Sequence, residues 1–83
     1  MDYLATHFTH FNALRFARAL NEAGLSAGLM PVPRKVSSSC GTCVRFHAED
    51  YLPFLFLEPE HIFRILTDPS GQPRYELVYE SGD

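Results

Sequence analysis

Both cysteines of the chain, Cys40 and Cys43, stand in a C-x-x-C spacing directly after three serines. Basic residues flank this segment, with Arg34 and Lys35 ahead of it and Arg45 behind it. The thiolate is the reactive form of cysteine, and nearby positive charge and backbone N–H groups favour it over the thiol. The pattern therefore predicts a site of reactive sulfur, against the simpler interpretation of a polar turn with ordinary thiols.

The same segment supports two further chemistries. The cysteine pair could exchange between dithiol and disulfide, although a thioredoxin-type pair opens a helix, whereas Val44 here leads into a predicted strand. Alternatively, His7 and His10 together with Cys40 and Cys43 would make the Cys₂His₂ ligand set of tetrahedral zinc. These intervals match no common zinc-finger pattern, so the prediction is no cofactor, with zinc as the alternative.

Composition narrows the class of protein. With 83 residues, 46% of them hydrophobic, the chain is predicted to form a single domain over residues 1–83. A net charge of −3 argues against a nucleic-acid partner. The start of the chain lacks the pattern of a signal peptide, and no window is apolar enough for a membrane span, which favours a cytoplasmic protein with no membrane partner. Thiols there are normally reduced, so a C-x-x-C favours chemistry over a structural disulfide.

The spacing of apolar residues predicts six elements. The clearest is an amphipathic helix at 10–23, with Thr9 as a good N-cap. A second helix is predicted at 59–66, because a proline suits the first helical turn. Strands are predicted at 3–8, 27–32, 42–48 and 75–80. The apolar segment 51–57 would be a connector packed on the core, a short extra strand or a partner-facing patch.

The element order βαββαβ matches an α+β ferredoxin-like fold, with an antiparallel sheet and two helices on one face. The strand order in that topology is 4-1-3-2. The end of the first strand, the start of the first helix and the loop between the second and third strands then share one end of the sheet. His7 and His10 are therefore expected beside Cys40 and Cys43.

Three pieces of sequence follow one another in the first half of the chain. They are a helix of the type Thr-x-x-Asn-Ala-Leu, the run Met-Pro-Val-Pro-Arg ending at Arg34, and the run Ser-Ser-Ser-Cys-Gly ending at Gly41. With these pieces, the chain to about Phe46 resembles a family of small bacterial domains described as selenium/sulfur carrier-like proteins, formerly a domain of unknown function. The resemblance implies that Cys40 holds sulfur or selenium, as a persulfide-type adduct, for a donor or acceptor protein.

Such a cargo would need a binding site around Cys40. Gly41 would let it approach the backbone closely, and Ser38 and Ser39 would offer small hydroxyl groups. The three flanking cations, Arg34, Lys35 and Arg45, would stabilise the anion.

Other enzyme signals are missing from the sequence. No phosphate-binding glycine loop and no Gly-x-Ser-x-Gly motif occurs, and Glu58 and Glu60 are predicted to be solvated surface residues. A stoichiometric carrier or binding protein is therefore favoured over a turnover enzyme. A non-enzymatic interaction module is the remaining alternative, and a homodimer that hides Tyr3 and Tyr75 on an uncovered sheet face is predicted with it.

Overall fold

The chain folds into an antiparallel five-stranded sheet with one α-helix packed on one face, in a computed structural model that describes residues 1–82. In chain order the elements are β1 (Asp2–Thr6), α1 (His10–Glu22), β2 (Ser26–Pro31), β3 (Thr42–His47), a 3₁₀ helix (Leu52–Leu57), β4 (His61–Thr67) and β5 (Pro73–Glu80). The strands lie in the order β2-β3-β1-β4-β5, and each neighbouring pair is antiparallel.

Helix α1 begins where the sequence predicts. Thr9 has an extended backbone, and its Oγ1 accepts a hydrogen bond from the Asn12 N–H at 3.1 Å, which satisfies one of the free donors of the first turn. Beyond the helix, Gly24 takes a φ of +88°, a left-handed conformation that glycine adopts at little steric cost. The predicted helix is confirmed to within one residue.

The face of the sheet under α1 forms the larger hydrophobic core. Phe16 and Leu20 of the helix are fully buried in one cluster with Phe46 of β3. Tyr3 stacks on Phe46 with ring centroids 5.3 Å apart and is also buried. The prediction that Tyr3 lies on an uncovered face is therefore wrong, because its register partner Phe46 points toward the helix.

The segment 51–57 is a connector that packs on this core. It forms a short 3₁₀ helix of six residues with a proline in its first turn. Leu57 is buried, and the Phe54 ring meets Phe46 edge-on at 6.1 Å between centroids. The Tyr51 hydroxyl donates to the carbonyl of Val78 at 3.1 Å. Of the three interpretations open for this segment, the first is the one observed.

The ferredoxin-like prediction is wrong. The predicted second helix at 59–66 is a strand, β4, which pairs with β1 on one side and β5 on the other. An apolar run this short fits helical and strand spacing equally, and Ile62, Phe63 and Ile65 are residue types that favour strands. Hydrogen bonding to β1 on one side and to β5 on the other then stabilises this segment as a strand. The order of β2, β3 and β1 agrees with the expectation, but β4 occupies the place beside β1 that was predicted for the last strand.

The other face of the sheet is crossed by the β2–β3 loop, residues 32–41. Val36 of the loop is buried against Leu4 and Cys43, which point to this face from β1 and β3. Partly buried side chains complete this smaller cluster: Met30, Val32, Phe63, Ile65 and Tyr75. The loop therefore has one part packed across the sheet and a second part, around Cys40, that returns to the sheet end. Within residues 1–82, no helix combines the length and apolar character needed to cross a bilayer.

Candidate functional site

Three parts of the chain meet at one end of the sheet, which we call the Cys40 rim: the end of β1, the start of α1 and the β2–β3 loop. Thr6 is paired with Cys43 in the sheet. His10 Nδ1 lies 3.1 Å from Thr42 Oγ1, and this contact joins the first turn of α1 to the start of β3. The expected meeting of these parts survives the change of fold, because it depends only on the antiparallel arrangement of β1, β2 and β3.

Cys40 is half-buried and held by short-range hydrogen bonds within the loop. Its backbone N–H donates to Ser38 Oγ at 3.2 Å, and its Sγ accepts from the Thr42 N–H at 3.4 Å. Gly41 follows with open space where a Cβ would stand, and its carbonyl accepts from Val32 N–H at 3.2 Å. The sulfur is therefore held by backbone hydrogen bonds and remains partly exposed to solvent.

Cys43 differs from Cys40 in its burial and in the hydrogen bond that its sulfur makes. Its side chain is fully buried under Val36, and its Sγ donates to the carbonyl of Pro31 at 3.7 Å. Burial, with a smaller contribution from the neighbouring Cys40, raises the pKa of Cys43 to about 11. A thiol with such a pKa stays protonated at neutral pH and is a poor nucleophile.

Glu60, which the sequence analysis placed at the surface, is instead a buried part of the rim. It is 8% exposed, whereas Glu58 is exposed as predicted. Its carboxylate accepts from Ser39 Oγ at 2.6 Å, from the Ser39 N–H at 3.0 Å and from Ser38 Oγ at 3.3 Å. The correction has a physical reason: three donors from the loop replace the water that a buried carboxylate loses.

These contacts keep the Glu60 carboxylate ionised. Burial by itself would raise its pKa, but the hydrogen bonds from the Ser39 side chain and backbone outweigh it, with help from His61 and Ser38. The net result is a pKa of Glu60 below its ordinary value. No local sequence signal marks this residue, because its partners lie about twenty positions away on a loop that only the fold brings near.

His7 lies at the end of β1 as expected, but in the core. Its ring is fully buried with its centroid 4.8 Å from that of Phe16, and neither ring nitrogen has a hydrogen-bond partner within the described residues. Burial chiefly lowers the pKa of His7 to about 4, and Arg15 lowers it further against the opposing charge of Glu60. The imidazole is therefore neutral at physiological pH and packs as an aromatic side chain.

The four residues of the zinc alternative are not gathered around one point. Cys43 belongs to the cluster on the loop face, whereas the His7 ring packs on Phe16 toward the helix. His10 is exposed and bonded to Thr42. Among residues 1–82, no group of three or more His, Cys, Asp or Glu side chains is arranged to hold a metal ion.

Within residues 1–82, no hydrogen bond or ion pair joins the three predicted cations to Cys40. Arg45 lies in the middle of β3 and pairs with Asp2 at 3.5 Å, toward the opposite end of β1 from the rim. Arg34 and Lys35 are exposed on the loop ahead of Val36. Hydrogen bonds from Ser70 chiefly lower the pKa of Asp68, and Lys35 adds a smaller charge effect, so Lys35 lies within electrostatic reach of the β4–β5 turn. The contacts to the Cys40 segment come from hydroxyl groups and backbone N–H groups instead.

Comparison with known protein families finds a match over the first part of the chain. Residues 2–55, more than half of the chain, match the family described as "Putative Se/S carrier protein-like". The matched region includes β1, α1, β2, the β2–β3 loop with Cys40, and β3 with Cys43. Searches of curated proteins and of solved structures returned no match. On the strength of the family match, the chain belongs to the selenium/sulfur carrier-like family.

Proposed function

We propose that this protein carries sulfur or selenium on Cys40 and passes it between a donor and an acceptor protein. Membership of the carrier-like family supports the class of cargo. The observation that carries the choice of residue is the setting of the Cys40 sulfur, which is accessible and accepts a backbone hydrogen bond from Thr42 at 3.4 Å. A carrier thiol needs a compartment that keeps thiols reduced, so the proposal also places the protein in the cytoplasm.

The transfer is a balanced exchange of sulfane sulfur. The Cys40 thiolate attacks the terminal sulfur of a donor persulfide, a new S–S bond forms on Cys40, and the donor sulfur leaves as a thiolate. Attack by an acceptor thiolate on the terminal sulfur of Cys40 reverses the step, and Cys40 leaves as a thiolate. No external oxidant or reductant is consumed. Selenium follows the same scheme with a terminal selenium atom.

The burial of Cys43 supports a carrier over a dithiol exchanger. A free thiolate next to a persulfide attacks its inner sulfur, closes a disulfide and releases sulfide, which loses the cargo. Cys43 is withheld from this reaction by its cover, Val36, and by a pKa of about 11. Its place in the motif is then that of a small buried side chain in β3.

The direct test is intact mass after incubation of the reduced, untagged protein with glutathione persulfide. We expect wild type and Cys43→Ala to gain the mass of one sulfur atom, to lose it on addition of reductant, and to lose it to an added thiol acceptor. Cys40→Ala is expected to gain nothing. Cys43→Ala is a matched control, because it removes the other thiol of the same motif.

Two results would contradict the proposal. Labile sulfur that persists in Cys40→Ala would place the cargo elsewhere. A loss of two hydrogen masses in wild type, absent from both single variants, would mean that the pair closes a disulfide and that the protein is a dithiol exchanger.

A further inference from the structure

We propose that Glu60 is the positioning residue of the Cys40 site, acting on the cysteine through Ser38 and Ser39. Glu60 lies beyond residue 55, outside the part of the chain that matches the carrier-like family. Its role therefore does not follow from family membership. What such a role means for cargo transfer rests on the proposed function, whereas its effect on the Cys40 thiol does not.

The carboxylate and the cysteine are joined by a continuous set of hydrogen bonds. Ser38 Oγ lies 3.3 Å from Glu60 Oε1 and 3.5 Å from the His7 carbonyl oxygen, so Glu60 is the nearer of two acceptors for its one hydrogen, and Ser38 Oγ accepts from the Cys40 N–H at 3.2 Å. The Ser39 N–H and hydroxyl hold the same carboxylate at 3.0 and 2.6 Å. The two residues directly ahead of Cys40 are thus bound to one side chain from another part of the chain.

Glu60 is itself fixed to the sheet. Its backbone N–H donates to the carbonyl of Thr6 at 2.7 Å, and its carbonyl accepts from the Ser81 N–H at 2.9 Å. The next residue, His61, donates its N–H to Thr6 Oγ1 at 3.1 Å and begins β4. The backbone of Glu60 is therefore bound to the end of β1 and to the residue after β5, and its side chain links the loop to this end of the sheet.

The orientation of the Cys40 segment depends on this anchor. With Ser38 and Ser39 in place, the chain turns so that the Thr42 N–H meets the Cys40 sulfur at 3.4 Å. Residues 37–40 lie between the buried Val36 and the far end of the segment, which is fixed by the Val32–Gly41 hydrogen bond at 3.2 Å and by the pairing of Thr42 with Pro31. Without the carboxylate, residues 37–40 would lose their hydrogen bonds to Glu60, and the Cys40 sulfur would lose its fixed position against the Thr42 N–H.

The test is the pH dependence of Cys40 alkylation by iodoacetamide, followed by peptide mass analysis, in the full chain. The variants are Glu60→Gln, Ser38→Ala and the double variant. Glu58→Gln is the matched control, because it removes the same charge two residues away at an exposed position. Thermal unfolding of each variant is measured in parallel.

We expect Glu60→Gln and Ser38→Ala each to slow alkylation at neutral pH about fivefold, the worth of one hydrogen bond to the sulfur. The double variant should add little to either change, because both act along one set of contacts. Glu58→Gln should match wild type. This non-additivity is a readout that a purely stabilising carboxylate would not produce.

Two outcomes would overturn the proposal. If Glu60 acts only by its charge, Glu60→Gln speeds alkylation and Ser38→Ala leaves it unchanged. If Glu60 only stabilises the fold, the variants unfold at lower temperature while the Cys40 profile stays that of wild type. Should Glu60→Gln not fold, Ser39→Ala removes the 2.6 Å hydrogen bond from an exposed position and takes its place.

The result is independent of the cargo. Alkylation needs no sulfur donor, so the two proposals can fail separately. If the effects of Glu60→Gln and Ser38→Ala on alkylation are non-additive but the protein takes no sulfur from glutathione persulfide, the role of Glu60 stands and the carrier function is refuted. If the protein takes up sulfur normally but both variants are alkylated like wild type, the carrier function stands and the role of Glu60 is refuted.

Discussion

The two cysteines of the C-x-x-C motif occupy opposite environments although two residues separate them. Cys40 lies in a loop of small polar residues, where hydroxyl and backbone groups surround it and solvent reaches it. Cys43 is the first inward-facing residue of β3 on the loop face, sealed by Val36. The difference arises because strand β3 begins between them, so that one thiol follows the loop and the other follows the pleat of the sheet.

This comparison teaches that spacing alone does not define a dithiol site. A working pair needs one accessible thiolate and a second thiol that can reach it. Here Cys40 is partly exposed, whereas Cys43 is buried, and burial raises its pKa to about 11, so the fold opposes the second requirement. The four predictions below test this difference, beginning with the largest effect.

The largest expected effect is in the alkylation rates of the two thiols in the native protein. At pH 8, a thiol with a pKa of about 11 is ionised in only about one molecule in a thousand, and Cys43 is also shielded from reagent. We expect iodoacetamide to modify Cys40 at least about 100-fold faster than Cys43. Peptide mass analysis over time measures both rates, and denaturant serves as the control because it should make them similar. Similar alkylation rates of the two thiols in the native protein would show that Cys43 is not shielded relative to Cys40.

Acid should reduce the stability of the folded protein that keeps the two thiols in different environments. The pKa of His7 falls from 6.5 to about 4 on folding, so the unfolded chain binds more protons between these values and stability decreases as pH falls through that window. The loss is of the order of 3 kcal/mol by pH 4, and stability is fully present above about pH 6.5.

Urea unfolding at several pH values measures this loss. His7→Phe keeps an aromatic ring against Phe16 and removes the titrating group, so its stability should change much less over the same window. His10→Phe is the control for the same substitution at an exposed histidine. An undiminished acid loss in His7→Phe would assign the effect to other groups.

Opening the cover of Cys43 should have an intermediate effect. Val36→Ala removes two methyl groups from a side chain that is 7% exposed, and we expect it to cost about 1–2 kcal/mol of unfolding free energy. Local opening then becomes easier, so Cys43 alkylation should rise about tenfold while Cys40 alkylation stays nearly constant. Leu77→Ala, at an exposed position on β5, is the control. Equal acceleration of both thiols would mean that the whole loop had been released.

The smallest effect is expected at Gly41. Its φ is not in the left-handed region, and a Cβ there would meet no atom within 4 Å, so Gly41→Ala should change stability by less than about 0.5 kcal/mol. The methyl group would stand on the residue next to Cys40, so we expect a bulky maleimide to react a few-fold more slowly while iodoacetamide reacts at nearly the wild-type rate. A loss of stability would show that glycine is needed for the backbone and not for access.

The sequence predicted those parts of the site that depend on local structure. Thr9 marks the start of α1, the alternation after Cys43 marks β3, and the resemblance in residues up to Phe46 agrees with the family match over residues 2–55. The meeting of β1, α1 and the β2–β3 loop was also predictable, because antiparallel pairing of neighbouring strands fixes which ends lie together.

The second half of the chain was less predictable, because its signals depend on distant partners. The run from His61 to Thr67 fits a helix or a strand by spacing, and only pairing with both β1 and β5 makes it β4. Arg45 looked like a cation for the site, but the register of β3 places it beside Asp2. Neither the strand β4 nor the position of Arg45 can be predicted from neighbouring residues in the sequence.

By itself, the sequence predicted Cys40, in its loop of small residues, as the candidate for reactive sulfur, and it determined which family the chain resembles. The tertiary structure decided that Cys43 is withdrawn under Val36, that His7 is neutral in the core, and that Glu60 holds the loop. The physical reason is that burial and hydrogen-bond partners are set by residues far apart in the chain, and these two factors control whether a thiol, an imidazole or a carboxylate is charged.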